Sequence, residues 1–200
     1  MLSKSMELDD FEIELVSAGT VIPPFHCKDS DLNDFLLKDA KNYLADLMAE
    51  TYIFVDTKAN KTVAYFSLLN DKITCDPDER RIWNRLNRSI ANSKRRESYP
   101  SVKIGRLAVS EEYERNGLGR AIIDLIKGEF AYGARIGGRL VTGCRYITVD
   151  AYAKAIGFYE KNGFAFLMEK DRNDETRLMY FNLKSFIDGK PGYKSASSRA

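Results

Sequence analysis

The spacing of apolar positions divides the first part of the chain into one helix and three strands. Residues 11–16 alternate apolar and polar side chains, which is typical of a half-buried strand. From Ser30, a suitable N-cap, apolar residues recur at helical spacing to about Met48 and predict an amphipathic helix. Residues 52–56 and 62–69 are rich in aromatic and β-branched side chains and predict a hairpin across a short polar turn.

A basic segment, residues 76–100, interrupts this pattern. Its apolar residues recur at helical spacing and its arginines fall mostly off that stripe, so we expect a surface helix with one basic face. The apolar residues are Ile82, Trp83, Leu86 and Ile90, and the arginines are Arg80, Arg81, Arg85 and Arg88. Lys94, Arg95 and Arg96 add further positive charge before the segment ends.

Regular elements resume after Pro100, which precedes a predicted strand at residues 102–109. Gly117 opens a helix in which apolar residues again recur at helical spacing. Residues 144–149 then predict the next strand.

The last predicted elements are a helix and a closing hairpin. Asp150 can cap that helix, and the pair Asn162 and Gly163 suits the left-handed turn that ends one. Residues 164–169 and 177–182 form the two strands of the hairpin.

This order of elements predicts an α/β (α+β) fold, in which a single mixed β-sheet is flanked by helices. Residues 1–10 are assigned to an N-terminal extension, 11–187 to one domain and 188–200 to a disordered tail of Gly, Lys, Ser and Ala. A length of 200 residues agrees with one catalytic domain.

Composition narrows the class of protein only slightly. The formal net charge of +2 is too balanced to indicate a nucleic-acid partner by itself. The three cysteines are far apart and lack zinc-binding spacing, so we expect no metal and a reducing, cytoplasmic location. No apolar stretch is long enough to cross a membrane, and the N-terminus does not resemble a secretory signal.

The candidate chemistry lies where the strand at 102–109 feeds a glycine-containing loop and a helix. Unpaired N–H groups at a helix start suit phosphate oxygens, and Gly117 and Gly119 would let a diphosphate approach the backbone. Arg115 and Arg120 can add charged hydrogen bonds. A Rossmann site would need a third glycine, and a P-loop would need Lys where Arg120 stands, so both are disfavoured. The alternative is that these glycines only begin the helix and that the turn binds no phosphate.

Three segments resemble the GNAT superfamily of N-acetyltransferases: 104–109 (IGRLAV), 115–120 (RNGLGR) and 155–164 (AIGFYEKNGF). The resemblance covers about residues 11–183 and implies a GNAT-like fold with acetyl-CoA as co-substrate. It implies that the strand edge holds the pantetheine arm through Leu107, Ala108 and Val109. It further implies that the pyrophosphate is held by Arg115, Asn116, Gly117, Leu118, Gly119 and Arg120.

One position departs from the family pattern. Glu114 stands where the family usually has Gln or Arg, and a carboxylate facing a diphosphate is unfavourable. We expect Glu114 to point to solvent, with Arg115 nearer the phosphates.

The resemblance also matches Tyr159 to the family tyrosine, which would act as general acid for the leaving thiolate. Without the resemblance, Tyr159 reads as a core aromatic residue sharing a helix face with Tyr152. A backbone N–H near Val109 would stabilise the oxyanion. The general base stays open, because Asp150 is also a helix cap, and a water chain or an amine of low pKa would remove the need for one.

The segments at 25–28 (FHCK) and 31–36 (DLNDFL) are similar to a toxin subset of these enzymes that acetylates aminoacyl-tRNA. The safer prediction is an acetyltransferase that acts on a primary amine. The more specific prediction is that this amine is linked to RNA, with tRNA bound through Arg80, Arg81, Arg85 and Arg88. His26 and Cys27 are taken as structural or substrate-rim residues. A homodimer and an antitoxin are the further partners considered, and a non-catalytic CoA- or RNA-binding module is the alternative of another class.

Overall fold

The protein is described here by a computed structural model that covers residues 8–74, 78, 80–88, 90, 96–132 and 143–189. Seven strands occur in these ranges: β1 (Glu12–Leu15), β2 (Glu50–Asp56), β3 (Lys61–Thr74), β4 (Ser98–Val109), β5 (Tyr146–Tyr152), β6 (Ala165–Phe166) and β7 (Thr176–Asn182). They form one mixed sheet in the order β1-β2-β3-β4-β5-β7-β6, which confirms the predicted fold class.

Six α-helices accompany these strands in the described part of the chain: α1 (Ser30–Asp34), α2 (Ala40–Ala45), α3 (Arg80–Asn87), α4 (Leu118–Tyr132), α5 (Ile156–Lys161) and α6 (Leu183–Asp188). A π-helical turn, Phe35–Asp39, joins α1 to α2. Short 3-10 turns occupy Leu8–Asp10, Glu111–Tyr113 and Ala153–Ala155. Among the helices that the structure describes, none is long and apolar enough to span a bilayer.

The chain divides into two compact units. The first consists of residues 1–70 and 103–125, and the second consists of residues 71–102 and 126–200. The predicted boundaries at residues 10 and 187 stay predictions. Residues 1–7 and most of the predicted tail, residues 190–200, lie outside the described ranges.

The first unit is built around an aromatic core on one face of β2 and β3. Tyr65 is fully buried, and its ring contacts Phe25 and Phe35 with centroid distances of 5.3 and 6.2 Å. The hairpin predicted at 52–56 and 62–69 is confirmed, although β3 continues to Thr74. Strand β1 pairs with β2 at the edge of the sheet, and its side chains are more exposed than the predicted half-buried pattern.

The predicted helix from Ser30 to Met48 is wrong in its cap, its regularity and its end. Asp29 is the N-cap, because its backbone is extended and its side chain accepts a hydrogen bond from the Asp31 N–H at 3.0 Å. The helix ends at Ala45, since Leu47 adopts a left-handed backbone with φ +57°. Leu47 is 91% exposed, so its helical spacing does not reflect burial.

The second unit has a core of three tyrosines that pack edge to face and are covered by α3. Tyr99 and Tyr180 pack edge-on against the fully buried Tyr146 ring, and Trp83 stacks on Tyr99 at 5.0 Å. Leu86 and its neighbours along the predicted apolar stripe join this cluster, which confirms the inward face of α3. Lys94 and Arg95 lie outside the described ranges.

Three further expectations about local structure are corrected. Pro100 lies inside β4 rather than before it, and its carbonyl accepts a hydrogen bond from the Arg145 N–H at 2.9 Å. Asp150 does not cap a helix, because the chain stays extended to the end of β5 and Asp150 pairs opposite Leu178. Tyr152 is the last residue of β5 and is not on the helix that carries Tyr159.

The two candidate caps of α1 can be separated by mutation. Asp29→Ala should lower the free energy of unfolding by about 1 kcal/mol, because the first turn loses its side-chain acceptor. Ser30→Ala is the matched control and should change it by less than about 0.5 kcal/mol. Urea denaturation of both variants measures the difference. A larger loss for Ser30→Ala would return the cap to the position that the spacing predicts.

Candidate active site

Hydrogen bonds to β2, to β3 and to the segment before α1 hold the first part of the loop between β4 and α4. The Ser110 N–H donates to the Val63 carbonyl at 2.8 Å, and the Glu111 N–H donates to the His26 carbonyl at 3.1 Å. The Tyr113 hydroxyl then donates to the Asp56 carboxylate at 3.1 Å. All of these partners lie within the first unit. The loop therefore starts from a fixed position at the end of β4.

Two left-handed residues shape the last part of this loop. Arg115 has φ +63° and Gly117 has φ +85°, and α4 begins directly afterwards. The first intrahelical bond runs from the Ala121 N–H to the Gly117 carbonyl at 3.0 Å. Gly117 thus turns the chain into the helix, and residues 118–120 precede the first N–H that is paired within it. Backbone N–H groups at such a start suit an anion.

The space beside Gly117 agrees with a bulky anionic ligand. A Cβ at this position would meet no heavy atom within 4 Å, so the glycine is required by its backbone conformation rather than by crowding. Arg115 is exposed, Asn116 and Gly119 are half-buried, and Arg120 is 79% exposed and lies 3.8 Å from the Asp124 carboxylate. Leu118 is 1% exposed, so its side chain is buried in the core and is not available to a ligand.

Glu114 does not point freely to solvent as predicted. Its carboxylate forms an ion pair with Lys28, whose ammonium also lies 3.9 Å from Glu111. The Glu114 side chain is 31% exposed, and the lysine offsets its charge next to the predicted phosphate turn. Lys28 was not singled out by the sequence, because its partner is distant along the chain.

The end of β4, predicted to hold the pantetheine arm, is half-buried at Leu107 and Val109. Ala108 is 6% exposed and packs in the core of the first unit. The Arg106 guanidinium, just before these residues, lies 4.9 Å from the centre of the Phe35 ring. This contact fixes the side chain that immediately precedes the predicted binding edge.

Tyr159 lies on α5 in the second unit and is 6% exposed. Its ring makes edge-on contacts with Phe158 and Phe164 at centroid distances of 5.1 and 5.3 Å. Burial raises the pKa of the Tyr159 hydroxyl above its ordinary value of 10.0. The hydroxyl therefore keeps its proton across the physiological range.

The helix that carries Tyr159 is fixed at its C-terminal end. Asn162 is the C-cap and Gly163 follows with φ +81°, as the sequence predicts. The buried Lys127 ammonium of α4 donates to the Asn162 carbonyl at 2.8 Å and lies 4.3 Å from the Phe181 ring centre. A cation at this end also interacts favourably with the helix dipole. Lys127 therefore holds α5 in place.

The other candidates from the sequence have different surroundings. His26 is 75% exposed and its Nε2 lies 3.6 Å from the Glu111 carboxylate. Cys27 is buried in the core of the first unit, and its backbone N–H donates to the Asn33 side chain at 2.8 Å, which favours a structural role. No group of metal-ligating side chains occurs among the residues that the structure describes.

Sequence reasoning missed a polar pair in the second unit. The buried Thr148 hydroxyl of β5 donates to the Asp71 carboxylate of β3 at 2.5 Å. The sequence offered one signal for it. Leu69, Asp71 and Ile73 stand two residues apart, so they would share one face if the strand continued past its predicted end at Leu69.

Comparison with known proteins identifies the class to which this site belongs. Residues 49–165 match the family model of the GNAT acetyltransferase domain. The chain therefore belongs to the GNAT acetyltransferases and is an acetyl-CoA-dependent acyltransferase.

Solved structures show the same fold at low sequence identity. AtaT complexed with acetyl-methionyl-tRNAfMet is 21% identical, with a TM-score of 0.66 over 88% of this chain and 97% of that one. AtaTR bound with AcCoA is 22% identical, with a TM-score of 0.67 over 88% and 96%. A tyrosine-to-phenylalanine mutant of KacT is 19% identical, with a TM-score of 0.68 over 90% and 99%. None of the curated protein sequences matches this chain at a significant level.

Replacing Gly117 tests whether this turn binds the diphosphate of acetyl-CoA. Gly117→Val places a β-branched side chain at φ +85° and in the open space beside the turn. Loss of one or more charged hydrogen bonds to the diphosphate should raise the Kd for acetyl-CoA by about 10-fold or more in calorimetric titration.

Gly128→Ala, within α4, is the matched control, because a Cβ there would also meet no heavy atom within 4 Å. It should leave the Kd unchanged and stabilise the fold by about 0.5–1 kcal/mol. Equal affinity of wild type and Gly117→Val would remove the turn from the binding site.

Proposed function

We propose that this chain transfers an acetyl group from acetyl-CoA directly to a primary amine. The left-handed turn at Gly117, which leads into α4 inside the family match, is the observation that carries the proposal. In this proposal residues 115–120 hold the pyrophosphate, and the backbone of 107–109 holds the pantetheine arm. A backbone N–H near Val109 stabilises the oxyanion that develops on the thioester carbonyl.

We assign the general acid to Tyr159. The leaving thiolate needs a proton when the carbon–sulfur bond breaks, and the raised pKa of Tyr159 means that its hydroxyl is protonated when the substrates bind. For this role the hydroxyl must come within hydrogen-bond reach of the sulfur. The solved mutants of AtaT and KacT carry the same type of change, tyrosine to phenylalanine, which supports testing it here.

Tyr159→Phe removes the hydroxyl and keeps the buried ring with its contacts to Phe158 and Phe164. We expect kcat to fall by about 10²-fold or more, because one acid catalyst is removed. The Kd for acetyl-CoA should change by less than about threefold, which corresponds to a small free-energy change. Steady-state kinetics and calorimetry measure the two quantities.

Tyr152→Phe is the control for this substitution, since Tyr152 is 44% exposed at the end of β5 and has no assigned role. It should keep the wild-type kcat. A Tyr159→Phe enzyme that also keeps the wild-type kcat would exclude Tyr159 as the acid.

A second candidate function names the acceptor as the amine of an aminoacyl-tRNA. Helix α3 supports it, because Arg80 and Arg81 on the helix, and Arg88 directly after it, are exposed on the side away from its apolar stripe. Arg85 instead packs over Tyr180, with its guanidinium 5.7 Å from the ring centre. The shared fold with an AtaT structure that contains acetyl-methionyl-tRNAfMet favours the same acceptor. An antitoxin partner and a homodimer belong to this candidate, and the cytoplasmic location stays a prediction.

Charge removal on α3 separates RNA binding from chemistry. Changing Arg80, Arg81 and Arg88 together to Gln should weaken tRNA binding, because fewer phosphates are neutralised. The slope of log K against log salt should become shallower by about 0.7–0.9 for each phosphate that the variant no longer neutralises. Acetylation of a small amine should be unchanged. Filter binding at several salt concentrations and a small-amine assay measure the two effects.

The control removes three exposed lysines elsewhere, Lys38, Lys58 and Lys161. This triple variant should keep the salt slope of the wild type. An unchanged slope in the arginine variant would exclude α3 as the tRNA surface.

One experiment distinguishes an enzyme from a module that only binds CoA or RNA. The protein is incubated with labelled acetyl-CoA and a panel of polyamines, peptides, aminoacyl-tRNA and uncharged tRNA. Label on one class identifies the acceptor, whereas binding of CoA without any transfer would establish the non-catalytic alternative.

A further inference from the structure

Three glutamates lie in the loop between β4 and α4, just before the turn into that helix. Lys61 binds Glu112 at 2.7 Å. Lys28 forms an ion pair with Glu114, and its ammonium lies 3.9 Å from the Glu111 carboxylate. Among the residues that the structure describes, Lys28 is the only cation that pairs with Glu114. The net charge next to the turn therefore depends on this one lysine.

The fold fixes the backbone on both sides of Lys28. The Cys27 N–H donates to the side-chain carbonyl of Asn33 at 2.8 Å, and the Asn33 amide donates back to the Cys27 carbonyl at 2.8 Å. Asp29, on the other side, is the N-cap of α1. Lys28 thus starts from a held position, and its ammonium reaches a carboxylate that is 86 positions further along the chain.

The backbone of Glu114 is held in a similar way. The Glu111 N–H donates to the His26 carbonyl at 3.1 Å, and the Glu114 N–H donates to the Glu111 carbonyl at 3.3 Å. Arg115 follows directly with φ +63°, and Gly117 comes two residues later with φ +85°. The Glu114 side chain therefore leaves the backbone one residue before the turn, with or without a cation to neutralise it.

This ion pair is too exposed to contribute much to folding. The Lys28 side chain is 60% exposed and the Glu114 side chain is 31% exposed, and exposed ion pairs add little to stability. An anionic ligand is more sensitive to the same charges. Acetyl-CoA carries a diphosphate and a further phosphate on its ribose, so an unpaired carboxylate beside it is repelled several times over. The pair should matter for binding rather than for stability.

We propose that Lys28 is a positioning residue for the cofactor: by neutralising Glu114, it allows the turn at residues 115–120 to accept the diphosphate of acetyl-CoA. This inference rests on the proposed placement of the pyrophosphate at these residues. Lys28 acts through Glu114, and no contact between Lys28 and a phosphate is assigned. The neutral pair takes the place of the single uncharged or cationic side chain, Gln or Arg, that the family usually has at position 114.

Three variants test this role by calorimetric titration with acetyl-CoA at low salt. Lys28→Gln should raise the Kd about five- to tenfold, because an uncompensated carboxylate then lies beside the phosphates. Glu114→Gln should bind at least as tightly as the wild type, since it removes that carboxylate. The double variant should return to within about twofold of the wild-type Kd, because both charges are absent.

The salt dependence separates a charge effect from a structural one. The Kd of Lys28→Gln divided by that of the wild type should fall towards one between about 0.1 M and 1 M salt. Over this range the Debye length falls from about 10 Å to about 3 Å, so the repulsion from Glu114 is screened. A distortion of the turn would not be removed by salt.

Lys38→Gln is the matched control. It removes the cation of another exposed pair in the first unit, in which Lys38 lies 2.8 Å from the Asp34 carboxylate. Its Kd for acetyl-CoA should equal that of the wild type. The melting temperature of every variant should stay within about 4 °C of the wild type, because each pair is exposed.

The outcomes distinguish this inference from the proposal on which it rests. If Gly117→Val weakens binding and Lys28→Gln does not, the turn holds the diphosphate and the role of Lys28 is rejected. A double variant that binds as weakly as Lys28→Gln would also reject it, because Lys28 would not be acting through Glu114. If Gly117→Val binds acetyl-CoA like the wild type, the proposed placement of the pyrophosphate fails and this inference fails with it.

Discussion

The alternation of side chains along β5 and β7 is the constraint on which the second unit depends. Each residue of these paired strands must point to one face or the other, so one strand supplies both a tyrosine core under α3 and an aliphatic and aromatic core on the opposite side. A shift of one residue in the register would exchange the two sets. It would bury Asp150 where Val149 packs and would move Thr148 away from Asp71. The position of the polar pair thus follows from the same register that forms the core.

The turn proposed to hold the pyrophosphate depends on a different local requirement, which is the backbone conformation of two residues. Gly117 adopts φ +85° without difficulty, whereas Arg115 adopts φ +63° with a side chain present. Such a residue persists only where its surroundings hold it. The hydrogen bonds that residues 110–113 make to other segments of the first unit fix the loop just before Arg115. The Lys28–Glu114 ion pair offsets the negative charge of the one carboxylate that departs from the family pattern, because it places a cation beside it.

The sequence predicted the fold class, the hairpin of β2 and β3, the inward face of α3 and the start of α4, because each has strong periodicity or a glycine with a clear purpose. The prediction was wrong where two neighbouring residues, or two kinds of structure, fit the same local signal. Asp29 and Ser30 are both good caps, and Asp150 is a good cap that instead continues a strand. Helix α6 was missed because six residues carry little periodicity. Asp71 and Thr148 could not be paired from sequence, since 77 positions separate them and strand neighbours are not encoded locally.

The contacts that anchor the loop before α4 also bear on how the protein is assembled. Lys61 and Glu112 are separated by 51 positions, Asp56 and Tyr113 by 57, and Lys28 and Glu114 by 86. Contacts of such separation are entropically expensive and form late in folding. During synthesis from the N-terminus, however, every partner of the loop is made before the loop itself. This loop, which leads into the turn proposed to hold the pyrophosphate, can therefore dock onto the β2–β3 hairpin and residues 26–28, which precede it in the chain, and none of these contacts involves a C-terminal strand.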